Sequence, residues 1–190
     1  MMDSPVAILF GMVVNFALLI VFIRFMFQLA NIPKTHPYGR GVYMLSAVVT
    51  LFSRIFPDLN KGQFSTSAVV LMLLLIYIQI AGFASIEGKS LTPLLLFFGG
   101  TLRGILHFVD ALKYIIIASV VCSWIILLAN KMHPVMDLIM QMSEPIVAPF
   151  RRFTPNLGMI DLSVLVAIMS LSMIEIVIRI VGGNILKLLV

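Results

Sequence analysis

Charged side chains are scarce in this sequence. Asp, Glu, Lys and Arg together make up 11% of the 190 residues, whereas hydrophobic residues make up 61%. A soluble domain is about one quarter charged and nearer half apolar. So few charged groups cannot cover so much apolar surface in water. The composition, with a mean hydropathy of +1.13, therefore excludes an ordinary soluble domain and indicates an integral membrane protein.

Cysteine is almost absent as well, since Cys122, inside an apolar run, is the single one. One thiol excludes an intrachain disulfide and any zinc or iron–sulfur site built from several cysteines. Of the three histidines, His36 and His133 each precede a proline, which explains them as turn residues. Neither they nor His107 have a second ligand at the spacing of His-Glu-x-x-His. We therefore expect no metal site.

Motifs of enzyme active sites are missing too. The sequence contains no Ser, His and Asp in the order of a hydrolase triad, no phosphate-binding loop and no dinucleotide-binding glycine fingerprint. It also has no paired catalytic carboxylates. We predict a protein that is not an enzyme, with no catalytic residues and no cofactor.

Basic residues outnumber acidic ones, 13 against 8, for a net charge of +5. In a soluble protein this excess suggests nucleic-acid binding. Here most basic residues lie between the apolar runs, where they orient a membrane protein and meet anionic lipid headgroups. We expect the lipid bilayer, not nucleic acid, as the partner of these residues.

Four apolar runs are long enough to cross the membrane, which takes about 20 residues. They are Pro5–Ala30, Ser67–Ala84, Val109–Ala129 and Ile160–Val181. Gly182-Gly183 is expected to end the last helix, because glycines commonly follow a helix C-terminus. The sequence thus predicts an all-α membrane protein with four transmembrane helices.

The segment Ser90–His107 is ambiguous. Its apolar stretch is short, and Gly99-Gly100 is expected to interrupt it, although the glycines with Gly104 are also compatible with helix packing. No turn residues separate it from the third span. We favour a helix that lies in the interface and leads into span three; a fifth span is the alternative.

Two moderately polar stretches between spans have helical periodicity. In the second, apolar residues share one face and polar residues the other; the apolar ones are Val135, Leu138, Ile139, Met142 and Ile146, and the polar ones Asp137, Gln141 and Glu144. In the first, Val42, Leu45, Val49 and Phe52 repeat similarly. Both are too short and mixed to span, so we predict amphipathic surface helices. A loop helix packed on the bundle is the alternative.

The chain contains an internal repeat. Leu29-Ala30-Asn31 recurs as Leu128-Ala129-Asn130, His36-Pro37 recurs as His133-Pro134, and Arg54, Pro57, Leu59 and Ser65 match Arg152, Pro155, Leu157 and Ser163 at a constant offset. Each copy is a span, a surface helix, a basic turn with proline and a second span. Two spans per copy make the copies parallel. We predict repeats at 1–87 and 108–190, joined by an interfacial segment, 88–107.

The second turn contains the series Glu144-Pro145-Ile146, Pro149, Arg151-Arg152, Pro155, Gly158, Ile160 and Asp161. This series resembles the signature of the YggT (YlmG) family of integral membrane proteins. The first copy departs from the signature at Ser46-Ala47, Ser53 and Gln63. The resemblance implies a bacterial inner-membrane protein linked to osmotic tolerance, cell-envelope organisation and division. Plastid relatives are associated with cytochrome maturation and nucleoid distribution.

Residues of this turn are the first candidate site. Arg151-Arg152 stand where a span begins, at headgroup depth, and guanidinium groups bind phosphate or carboxylate with two hydrogen bonds. Together with Glu144 and Asp161 they form a candidate lipid- or partner-binding group. The alternative is that the arginines are anchors and that Asp161 caps span four. Pro145 and Pro149 are expected to stop the surface helix.

Glu175 and Arg179 are the second candidate site. They are four residues apart in span four, which is the favourable spacing and order for an ion pair. Charges in hydrocarbon are costly and usually functional. Either the pair holds the bundle together, or it lines a path for an ion or solute. Arg179 lies close enough to the predicted helix end for its head group to reach the interface.

A scaffold or assembly factor for membrane complexes is the predicted function. A small channel or transporter subunit is the alternative, but spans one to three offer few polar groups beyond Asn15 and Gln79. The surface helices suggest a third possibility, a lipid-binding organiser. Other integral membrane proteins or a second copy are the expected partners. Because the loops 31–66 and 130–159 hold most basic residues, we expect them in the cytoplasm and both termini outside.

Overall fold

Seven helices form the part of the chain that the computed structural model describes, which is residues 4–33, 35–59, 63–90, 92–154 and 161–189. They are α1 (Pro5–Leu29), α2 (Pro37–Leu45), α3 (Ala47–Phe52), α4 (Thr66–Ile86), α5 (Pro93–Ala129), α6 (Pro134–Arg151) and α7 (Leu162–Leu189). Four of them, α1, α4, α5 and α7, are long and apolar enough to cross a membrane. The prediction of an all-α protein with four spans is confirmed.

Some predicted residues lie outside the described ranges. They are two basic residues of the first loop, Lys34 and Lys61, and Pro155, Leu157, Gly158 and Ile160 in the second turn and at the start of span four. The contribution of these positions to the turn signature therefore stays a prediction.

The two segments that end in Ala-Asn have the same local geometry. After α1, Asn31 has a φ of 54°, and after α5, Asn130 has a φ of 48°. Asparagine is one of the few residues that adopt this left-handed conformation readily, and it commonly ends a helix in this way. The helix that follows begins in each case at a proline, Pro37 or Pro134, whose missing N–H is not needed in the first turn.

Gly99-Gly100 was expected to interrupt a helix and Gly182-Gly183 to end one, but both pairs lie inside helices, so both expectations were wrong. Helix α5 runs unbroken through Gly99-Gly100, and α7 continues through Gly182-Gly183 to Leu189. One glycine of each pair serves helix packing instead. A β-carbon at Gly100 would overlap the ring of Tyr77, and one at Gly182 would overlap the side chain of Leu102. Close approach of neighbouring side chains compensates for the low helix propensity of glycine.

The surface helices also differ from expectation. Helix α6 continues through Pro145 and Pro149 to Arg151, although both prolines were expected to stop it. Pro145 and Pro149 leave the carbonyls of Gln141 and Pro145 without helical partners. Gln141 is exposed and Pro145 is half-buried, so the carbonyl of Gln141 is open to solvent. The first stretch forms two short helices, α2 and α3, separated at Ser46. Of its predicted apolar face Val49 is buried, whereas Leu45 is exposed.

The described chain divides into two compact units. The first comprises residues 1–105 and 182–190, and the second comprises residues 106–181. In the first unit α1 packs on α4, where Phe10 and Phe83 meet edge to face with ring centroids 5.5 Å apart. In the second unit the core consists of Ile116, Val147 and Ala167, one residue each from α5, α6 and α7. The repeat boundaries predicted from sequence stay a prediction.

Candidate functional site

Three of the four predicted turn residues meet in the second unit. Nη1 of Arg151 donates hydrogen bonds to both carboxylate oxygens of Glu144, at 2.6 and 2.8 Å, and its Nε donates to Oδ2 of Asp161 at 3.2 Å. All three side chains are about half exposed. Arg152 is exposed and forms no ion pair within the described residues. Arg151 is thus held by two carboxylates of its own chain.

Asp161 is the most strongly held member of this group. It accepts hydrogen bonds from the backbone N–H of Ser163 at 3.0 Å and from the Ser163 hydroxyl, which fixes the start of α7. Partial burial raises the pKa of Asp161, but the hydrogen bonds from Ser163 and the charge of Arg151 outweigh it, so the pKa lies below its usual value. Asp161 therefore caps the start of α7 and also pairs with Arg151, a contact that was not predicted.

The predicted pair in span four belongs to a larger charge cluster, which we define as Asp110, Lys113, Glu175 and Arg179. Nη2 of Arg179 lies 2.5 Å from Oε1 of Glu175, and Oε2 of Glu175 contacts Nζ of Lys113 on α5. Nζ of Lys113 also lies 2.8 Å from Oδ1 of Asp110. Two positive and two negative groups balance one another. Sequence reasoning missed Asp110 and Lys113, although their spacing of three residues in one span was a signal.

The length of α7 changes the interpretation of Arg179. The helix was expected to end near Val181, which would let the guanidinium reach the interface. Instead it ends at Leu189, ten residues beyond Arg179 and about 15 Å along the axis. The side chain of Arg179 is nevertheless 62% exposed. An exposed charge therefore stands near the middle of a candidate span.

A third polar group, in the first unit, was not predicted. Arg24 on α1 is only 6% exposed, and its guanidinium carbon lies 4.0 Å from the ring centroid of Tyr43 on α2. Nη1 of Arg24 is 3.5 Å from the hydroxyl of Ser46, and its Nε is buried with no hydrogen-bond partner. Arg24 and Tyr43 line a cavity of about 410 Å³ together with Gln28, Asp58 and Ser67. The sequence signal was an arginine inside an otherwise apolar span.

Asp58 is fixed in this cavity by three side chains. Its Oδ2 accepts from Nε2 of Gln28 at 2.7 Å, and its Oδ1 accepts from the hydroxyls of Ser65 at 3.2 Å and Ser67 at 3.1 Å. Ser65 and Ser163 occupy equivalent positions in the predicted repeat, and both are fully buried and bonded to an aspartate. Asp58 thus supplies the carboxylate that Gln63 lacks in the first copy.

Burial acts on the tyrosine of the cavity as well. It raises the pKa of the Tyr43 hydroxyl above its usual value, and the nearby charge of Arg24 lowers it only in part. Tyr43 therefore keeps its proton at neutral pH. Metal ligands are not gathered in the described ranges, which contain no group of three or more His, Cys, Asp or Glu side chains suited to a metal ion.

The second unit lies within a match to a known family. The CCB3/YggT family model matches residues 91–181, which include the turn residues and the charge cluster. This segment of the chain belongs to the CCB3/YggT family. The resemblance seen in Glu144, Arg151 and Asp161 is therefore confirmed.

Two relatives match the chain over most of its length. An uncharacterized protein of Pseudomonas aeruginosa is 27% identical over 168 residues, covering 83% of this chain and 80% of the relative. An uncharacterized protein of Haemophilus influenzae is 29% identical over 164 residues, covering 86% of this chain and 85% of the relative. No solved structure matches the chain.

Proposed function

We propose that this CCB3/YggT protein is a non-enzymatic scaffold that organises other integral membrane proteins in the bacterial inner membrane. The observation that carries the proposal is the exposed charge of Arg179 in the middle of α7. A guanidinium that faces lipid at this depth is unfavourable, whereas one that faces another protein helix is not. Large apolar side chains on the same helix, Met173, Ile176 and Val177, are more than half exposed.

The polar groups inside the candidate spans support the same function. Nε2 of Gln79 donates to Oδ1 of Asn15 at 2.9 Å and joins α4 to α1, and the charge cluster joins α7 to α5. Such contacts hold helices together in a bilayer. These interhelical contacts occupy the polar atoms that would otherwise have to line a transport path.

Photo-crosslinking in native membranes tests the scaffold. A photoreactive residue at Val177, which is 58% exposed, should yield complexes of defined mass, composed of this chain with another membrane protein or with a second copy. The same residue at the fully buried Ala167 of α7 is the matched control. Crosslinks to lipid alone at Val177 would contradict the proposal.

A small channel or transporter subunit is the second candidate, favoured by four charged side chains close together in two candidate spans. Purified protein in proteoliposomes should then conduct ions or solutes. The scaffold predicts no flux above that of protein-free vesicles. Flux that disappears in Glu175→Gln and persists in Asp137→Asn, which changes a carboxylate of α6 outside the charge cluster, would favour the channel.

The orientation proposed with this function has loops 31–66 and 130–159 in the cytoplasm. In a Cys122→Ser background, an impermeant maleimide should label Ser4→Cys in intact spheroplasts and should label Thr35→Cys only after lysis. The opposite pattern would reverse the orientation. Labelling of both positions from one side would contradict a membrane crossing by α1.

A further inference from the structure

The cavity in the first unit contains a cation with unused hydrogen-bonding capacity. Arg24 is 94% buried, and a guanidinium has five N–H donors. One reaches Ser46 at a long 3.5 Å, and Nε has no partner. Tyr43 covers one face of the guanidinium at 4.0 Å, so further partners must approach at its planar edge. A buried donor without a partner is unfavourable, which points to a ligand.

The charges of the cavity define the ligand that it suits. Arg24 forms no ion pair among the described residues, because the carboxylate oxygens of Asp58 are engaged by Gln28, Ser65 and Ser67. Planar guanidinium groups bind phosphate and carboxylate oxygens in pairs. The nearby negative charge of Asp58 disfavours a ligand with two negative charges. A singly charged phosphodiester satisfies both conditions.

The position of the cavity in the fold favours a membrane source for that phosphodiester. Arg24 lies five residues before the end of α1, or about 7.5 Å along the axis. Gln28 lies next to the end of α1, and Ser67 lies in the first turn of α4. The remaining lining residues belong to the segment between these two candidate spans. The cavity is therefore at the ends of the spans, at the level of lipid headgroups.

We propose that the cavity lined by Arg24, Tyr43 and Asp58 binds the phosphate group of a phosphodiester, supplied by a phospholipid headgroup, with the Arg24 guanidinium as its main donor. This site is separate from the predicted Arg151–Arg152 pair. Arg151 is already held by Glu144 and Asp161. The proposed phosphodiester site goes beyond the scaffold function, because it assigns a ligand to the first unit, which lies largely outside the family match.

Thermal unfolding of the delipidated full-length protein in dodecylmaltoside tests the site. Added dioleoylphosphatidylglycerol should raise the unfolding temperature, and dioleoylglycerol, which lacks the phosphate, should not. Arg24→Gln should weaken the apparent lipid affinity about tenfold or more, the effect of losing hydrogen bonds to a charged group. Arg54→Gln removes the same charge from an exposed position of the same unit and should leave the affinity unchanged.

Two further variants keep the proposal testable if Arg24→Gln does not fold. Arg24→Lys retains the charge but loses the planar pair of donors, so it should bind more weakly. Ser53→Phe fills the cavity without altering Arg24 and should abolish the lipid effect. An undiminished effect in both variants, or equal stabilisation by dioleoylglycerol, would overturn the proposal. Inorganic phosphate is a separate arm: stabilisation by phosphate that depends on Arg24, without a lipid effect, would assign the same site to free phosphate.

Discussion

Lys113 on α5 and Glu175 on α7 form an ion pair that joins two candidate membrane spans. Each side chain is 16% exposed, whereas Arg179, the other partner of Glu175, is 62% exposed. The interhelical contact is therefore the more buried of the two. Glu175 holds α7 against α5 through Lys113, and it neutralises Arg179 on the outer side of the same helix.

Removal of a single charged member of this cluster should reduce the amount of protein that accumulates in membranes. Glu175→Ala leaves Lys113 with Asp110 alone and Arg179 with no carboxylate, so the protein should accumulate several-fold less in membranes. Arg179→Ala should have a smaller effect, because the arginine is the more exposed partner. Quantitative immunoblots of membrane fractions measure both. A larger loss for Arg179→Ala than for Glu175→Ala would contradict this assignment of roles.

The contact between α1 and α4 depends on a glycine. A β-carbon at Gly82 would overlap the ring of Phe10, which is itself packed edge to face on Phe83. Gly82→Ala should therefore lower the free energy of unfolding by about 1–3 kcal/mol through overpacking. Gly183→Ala is the matched control, because its β-carbon would meet nothing within 4 Å. That change should raise stability by up to about 1 kcal/mol, as measured by thermal unfolding in detergent.

A double-mutant cycle tests the polar contact between the same helices. Gln79 is 3% exposed and donates to Asn15 at 2.9 Å. Gln79→Leu or Asn15→Leu alone leaves one amide unpaired, whereas the double variant removes both. We expect a favourable coupling of about 0.6 kcal/mol, and not above about 1.7 kcal/mol. Additive effects of the two changes would show that the hydrogen bond does not stabilise the protein.

The sequence predicted the four spans well, because hydrocarbon thickness imposes a minimum length on each apolar run. It failed at Gly99-Gly100 and Gly182-Gly183, since a glycine that ends a helix and one that admits a neighbouring side chain look alike without the neighbour. The contact of Lys113 with Glu175 joins residues 62 positions apart, which no local pattern encodes. The role of Arg24 was missed for the same reason, because Tyr43 and Asp58 approach it only in the fold.

The stabilisation of the folded protein by Asp161 should decrease at acidic pH. Its pKa is lowered in the folded protein, so its stabilisation is fully present above the pKa of the unfolded chain and is lost as the pH falls through the lower folded value. The difference in unfolding temperature between wild type and Asp161→Asn should be constant from about pH 7 to pH 5 and should shrink below about pH 4. If the difference in unfolding temperature grew on acidification, the pKa of Asp161 would be raised, not lowered, in the folded protein.

Helix α6 should tolerate polar substitutions on one face only. Leu138 is 7% exposed, whereas Gln141 is exposed. Leu138→Asp buries an unpaired charge and should prevent accumulation in membranes, and Gln141→Asp should be nearly neutral. Equal tolerance at both positions would show that the inner face of α6 does not pack in the membrane-embedded protein.

The double variant Glu175→Leu with Arg179→Leu tests the scaffold most directly. Asp110 and Lys113 remain paired at 2.8 Å, so the cluster stays neutral and the protein should fold. We compare membrane abundance and the crosslinks formed by a photoreactive residue at Val177 in the wild type and in the variant. Because Arg179 faces the partner protein in the proposed scaffold, the account predicts wild-type abundance with loss of the crosslinked complexes. Wild-type abundance with unchanged crosslinks would contradict the account.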